Sequence, residues 1–127
     1  MPDRRELYAV CAGGFIGAVA RAALSDGLTH APDEWPWATF VVNLVGSFVL
    51  GYAVVRLRGP HNHQRRLFVG TGVCGALTTF STMQLETLRM LDAHAYPLAL
   101  GYVVVSVALG LACVAGASRI ARRGRPV

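Results

Sequence analysis

The chain contains no lysine: all twelve of its basic residues are arginine. Charge of either sign is scarce, 15% of 127 residues against about 25% in soluble domains. Acids number seven and cysteines three. This poverty of charge, with 54% apolar residues and a mean hydropathy of +0.44, argues against a soluble enzyme, a disordered tail and a nucleic-acid binder. No phosphate-loop lysine, no Gly-x-Ser-x-Gly and no paired His/Glu metal spacing occurs. The three cysteines, Cys11, Cys74 and Cys113, all lie inside apolar runs. An odd number in such surroundings argues against a disulfide framework and reads as packing residues.

The apolar residues form runs, and the charges punctuate them. Trp37 to Val55 and Leu67 to Leu85 are two stretches of 19 residues without a charge. Ala95 to Ser118 is a third, of 24, and Leu7 to Ser25 is broken only by Arg21. Nineteen helical residues cover about 28 Å, close to the hydrocarbon thickness of a bilayer. The runs are apolar all round, unlike soluble amphipathic helices. The pattern predicts an all-α integral membrane fold of four spans, about 7–25, 37–55, 67–85 and 95–118, in one membrane domain of residues 1–127. Arg4 and Arg5 before the first run, with Ala18-Val19-Ala20 behind it, faintly resemble a signal peptide. Asp3 and Glu6 dilute that basic start, so a first span is the simpler reading. His61 and His63 read as part of a solvated loop.

Four spans put both termini on one side. Arg4, Arg5, Arg56, Arg58, Arg65, Arg66, Arg119, Arg122, Arg123 and Arg125 then share that side, ten of the twelve. Arg89 and Arg21 remain for the other. The positive-inside rule predicts cytoplasmic termini, and the net charge of +5 becomes a topology signal. Some attraction to anionic lipid comes with it.

Gly70-Thr71-Gly72-Val73-Cys74-Gly75 fits G-x-G-x-x-G but lacks the strand, helix and acid of a dinucleotide site. Its glycines have a membrane reading. Gly13 and Gly17 form a G-x-x-x-G face, and Ser106/Gly110 and Ala112/Gly116 are small-xxx-small pairs, which let helices approach closely. The third run then carries Thr78, Thr79, Ser81 and Thr82 directly after three glycines. Glycine and β-branched residues both disfavour helix, so this span is predicted to break. Non-helical backbone at membrane depth is tolerated only where it is buried or lines a cavity, and its freed carbonyls commonly hold ions.

Thr39 and Asn43 share a face of the second span, and Tyr102 and Ser106 share one in the fourth. These groups donate hydrogen bonds, and Phe80 can present its positive ring edge. No acid lies at the centre: Glu6 and Glu86 sit at span ends. A small multidrug-type proton-coupled exporter needs a central carboxylate, so it is the weaker alternative. Donors without a compensating acid suit a small anion, selected by replacing its hydration shell.

The sequence resembles the CrcB/Fluc fluoride channel family. The stretches that carry the resemblance are Gly13-Gly14-Phe15-Ile16-Gly17-Ala18 with Arg21; Ala38-Thr39-Phe40-Val41-Val42-Asn43 with Gly46-Ser47-Phe48; and Gly72 through Thr82 with Glu86. The resemblance implies a dual-topology dimer of antiparallel subunits with two fluoride pathways and passive fluoride efflux across the plasma membrane. It implies a structural Na⁺ at the dimer centre on the carbonyls of Gly75 and Thr78. Asn43 and Phe80 match the pathway, with Thr39, Ser81 and Thr82 in its polar neighbourhood. Tyr102 and Ser106 match the fourth helix's polar track, and Arg21 an aqueous vestibule.

Two departures stand out. Met83 replaces a second phenylalanine, and Gln84 follows where serine is common. The arginine bias is a third. Insertion both ways requires balanced flanking charge, and ten against two is unbalanced. The chain is therefore expected to insert in one orientation and pair with an oppositely oriented homologue. A non-conducting subunit that needs such a partner is the remaining alternative.

Overall fold

The computed structural model describes residues 1–124; Arg125, assigned above to the terminal side, lies outside the described residues. Among the described residues the fold is helical, without strands. The first apolar run becomes α1 (Arg4–Gly27) and the second α2 (Trp37–Arg56). The fourth becomes α5 (Tyr96–Arg123), which begins with Pro97 in its first turn, where a missing N–H costs nothing. These three helices are long and apolar enough to cross a membrane.

The third run behaves differently. A short turn, Pro60–Asn62, leads into α3 (residues 63–77), whose middle, Leu67–Cys74, is wound as a π-helix through Gly70 and Gly72. The helix ends at Leu77. Thr78 and Thr79 are extended, and α4 (Phe80–Asp92) starts afresh. The predicted break is present, and it falls on the hydroxyl residues, just after the last glycine.

The main packing pairs are α1 against α3 and α2 against α5. The first depends on glycine. A Cβ on Gly17 would collide with the Val73 carbonyl and one on Gly13 with the Phe68 carbonyl, while Gly72 stacks back on Gly13. Only a residue without a side chain lets these backbones approach so closely. Between α2 and α5 the glycine that permits close approach is Gly51, where a Cβ would meet the Val114 backbone; one on Gly110 would make only an ordinary contact with Ser47, and one on Gly116 would face open space.

A small core lies between α2, α4 and α5: Phe40, Met83, Met90, Ala99 and Tyr102, with Trp35 from the α1–α2 loop packed on it. Elsewhere the apolar residues face outward. Phe15 is 72% exposed and Leu111 67%. Such a surface belongs in lipid or against another subunit.

Candidate functional site: a latched helix break and a buried carboxylate

The break is held from α2. The Thr79 N–H donates to Asn43 Oδ1 at 2.8 Å, and Asn43 Nδ2 donates to the Thr79 carbonyl at 3.2 Å. One side-chain amide thus satisfies both backbone polar groups of an extended residue, which would otherwise be costly to leave dry. Thr79 also caps α4: its Oγ1 accepts the Thr82 N–H at 3.2 Å and donates to Thr82 Oγ1 at 2.8 Å. Ser81 Oγ lies 3.4 Å from the same oxygen.

These bonds free two carbonyls. In a continuous helix the Thr79 N–H would bond to Gly75 and the Thr82 N–H to Thr78. Both donors are diverted, the first to Asn43 and the second to Thr79 Oγ1. The oxygens of Gly75 and Thr78 therefore lose their helical partners. Gly75 and Thr78 line a cavity of about 280 Å³ with Asn43, Ser47, Thr79 and Phe80. Two hard, neutral oxygens beside a cavity fit an alkali cation better than a soft metal. Among the described residues no His/Cys/Asp/Glu cluster could hold a metal.

A second cavity, about 260 Å³, brings together Asn43, Phe80, Met83 and Ser106 with Ser47 and Gly110. Phe80, 65% exposed, is common to both cavities. Ser106 Oγ is buried and without a hydrogen-bond partner.

One turn away from Asn43, the polar groups converge on an acid. Thr39 Oγ1 donates to Glu86 Oε1 at 2.6 Å, and the Tyr102 hydroxyl donates to Oε2 at 2.7 Å. Glu86 is 6% exposed, and His30 Nε2 stands 3.5 Å from Oε1. The expectation that the polar groups have no acid among them is corrected here. Glu86 comes at the end of the charge-free run, yet α2 and α5 close over it. A signal was present: Thr82 and Glu86 follow at helical spacing on one face of α4, three and seven residues after its cap Thr79. Ser25, His30, Thr39, Thr82, Glu86 and Arg89 line a third cavity, about 270 Å³.

The sequence-predicted residues thus separate into groups. Gly75 and Thr78 lie at the break, and Asn43, Phe80, Met83 and Ser106 share one cavity. Thr39 and Tyr102 bind Glu86, and Thr82 joins the two regions. Ser81 is exposed beside the break. Arg21, half-exposed on α1, lines none of these cavities. His63 is less solvent-oriented than expected, since its Nε2 lies 2.9 Å from Glu6 Oε1.

A small multi-pass membrane protein, with an interrupted helix beside polar cavities, is the class this geometry defines. Residues 8–117 match the family described as CrcB-like protein, Camphor Resistance (CrcB), and the chain belongs to that family. It is 54% identical to the Fluoride-specific ion channel FluC 1 of Mycolicibacterium paratuberculosis, over 97% of this chain and 95% of that one. It is 53% identical to FluC 1 of Mycobacterium tuberculosis, with the same coverage. It is also 43% identical to FluC 2 of Symbiobacterium thermophilum, over 91% of this chain and 97% of the relative.

Proposed function

We propose that the chain is a subunit of a fluoride-specific ion channel that lets fluoride leave the cell passively. One observation carries this reading. The latched break sets Phe80 between two cavities with neutral donors around it, in a chain 54% identical to a protein named as such a channel. Asn43, Ser81, Thr82 and Ser106 offer N–H and O–H donors that replace water around a small anion. Phe80 offers a ring edge. Arg21 attracts anions towards a vestibule. Thr39 and Tyr102, whose protons point to Glu86, sit further along the same track. Fluoride enters cells as neutral HF, dissociates in the less acidic cytoplasm and is trapped. The membrane potential drives the anion out, so no coupled energy source is needed.

The assembly we infer has four spans, the third being α3 and α4 together across the break. It lies in the plasma membrane, with both termini cytoplasmic. A single chain of this size is too small to enclose a pore, so an antiparallel dimer partner completes it. The carbonyls of Gly75 and Thr78 would hold a structural Na⁺ at the dimer centre, where the cation would neutralise the converging oxygens. The ten-to-two division of arginines favours a fixed orientation and a heterodimer. The numbered names FluC 1 and FluC 2 among the relatives suit a family with paralogues.

A second reading, a subunit that conducts only with its partner, is favoured by Met83. Its side chain packs in the core with Phe40, Met90 and Tyr102 and supplies no ring edge. Fluoride efflux from liposomes separates the two. Efflux with this chain alone supports a homodimer. Efflux only after adding an oppositely oriented homologue supports the paired assembly, and no efflux in either case refutes the channel. A C-terminal reporter that reads both compartments equally would overturn the fixed orientation.

A further inference from the structure

His30 belongs to the nine-residue stretch between α1 and α2, at the end of the bundle away from the termini, and it is not part of the pathway described above. Its ring is held on one side and faces a carboxylate on the other. Nδ1 lies 3.0 Å from the Ala31 carbonyl, which can only accept, so the hydrogen bond assigns a proton to Nδ1. Nε2 points at Glu86 Oε1, 3.5 Å away. In the neutral ring Nε2 is then a bare acceptor facing a carboxylate oxygen, and the two make no bond. A proton on Nε2 turns the same contact into an ion pair.

The oxygen involved is the one that Thr39 also donates to, and the second oxygen holds Tyr102. Charging His30 therefore does two things. It competes with Thr39 for Oε1, and it takes the His30–Glu86 pair from a net charge of −1 to zero. The other groups facing this spot are few. Arg89 lines the same cavity from α4, α1 contributes the neutral Ser25, and α5 contributes Tyr102. On the loop itself, Glu34 is exposed and accepts the Ala31 N–H.

We propose that His30 is a positioning residue for Glu86, and that its protonation from the loop side raises fluoride conduction by neutralising the carboxylate beside Thr39 and Tyr102. This rests on the fluoride-channel reading. An anion moving past Thr39 meets a negative charge when His30 is neutral and a compensated pair when it is charged. Acidic surroundings, where HF entry is greatest, would then open the exit further.

The test is fluoride current across planar bilayers, which neutral HF does not carry, with the full chain and whatever partner conduction requires. The loop side is taken from pH 8 to pH 5.5. The wild type is expected to gain about fivefold in current, the scale set by one screened charge near the path. His30→Gln should stay low and flat, and His30→Arg, which fixes the charge, should stay high and flat. A His30→Gln profile that follows the wild type overturns the proposal. So does a His30→Arg current that still rises with acid. A second readout needs no conduction. Solid-state NMR transfer from the His30 ring nitrogen to the Glu86 carboxyl carbon should be stronger at pH 5.5 than at pH 8, and equal transfer overturns the pairing. If no variant carries current, the channel reading and the conduction claim fall together, and the NMR result decides the pairing separately.

Discussion

Thr39 and Asn43 stand one turn apart on the same face of α2, yet they serve two different polar clusters. Asn43 meets the extended backbone of Thr79 and exchanges two neutral hydrogen bonds with it. Thr39 meets the Glu86 carboxylate and gives it one short, charge-assisted bond. The comparison shows two ways to satisfy polar groups away from water. The first cluster carries no charge and holds a backbone shape. The second carries a charge, and its cost is offset by donors from α2 and α5. A fluoride path needs both kinds of behaviour: a fixed set of donors, and a field that the anion can tolerate.

The sharpest way to break the comparison is to give the neutral cluster a charge. Asn43→Asp places a fixed negative charge about 4 Å from a passing anion, which costs about 4 kcal/mol at an effective dielectric near 20. Fluoride efflux from liposomes should then fall by about three powers of ten; unchanged efflux would remove Asn43 from the path. Asn43→Ala comes next. It leaves the Thr79 N–H and carbonyl without partners and should destabilise the fold by about 2–4 kcal/mol, read from thermal unfolding in detergent. Glu86→Gln should cost less, about 1–2 kcal/mol in the same assay, because the shape is kept and one hydroxyl still finds the amide oxygen, while the other must turn to accept from the amide NH2. If Glu86→Gln proves worse than Asn43→Ala, the carboxylate and not the latch is the chief support of this region. The smallest effect belongs to Thr79→Ala, which removes the α4 cap and should cost about 1 kcal/mol.

Much of the fold was legible from the order of residues. The long apolar runs marked α1, α2 and α5, since about twenty apolar residues have few alternatives to a helix in lipid. Gly13 and Gly17 announced a close helix contact, and the structure shows that α3 makes it. The interruption of the third run followed from glycine and hydroxyl content, although its position did not. It lies at Thr78–Thr79, where Asn43 from α2 satisfies the backbone N–H and carbonyl of Thr79. Gly116 marks the limit of the small-residue pattern, since spacing alone does not say which face meets a neighbour. Glu86 marks a deeper limit. Its place at the end of a run set it apart from the polar groups at the centre, and the spacing of Thr79, Thr82 and Glu86 did not reveal that Thr39 and Tyr102 would close on it.

The sequence by itself determined that this is a helical membrane protein, where its helices run, that one of them is interrupted, and which family it belongs to. These are local properties: transfer of side chains into lipid, helix propensity, and the order of a motif. Only the tertiary structure decided which partners the polar groups take. Asn43 closes on Thr79 across 36 positions, and Thr39 on Glu86 across 47. Bonds between residues so far apart depend on how α2, α4 and α5 pack, and in a low-dielectric interior each polar group takes whichever partner that packing brings within reach.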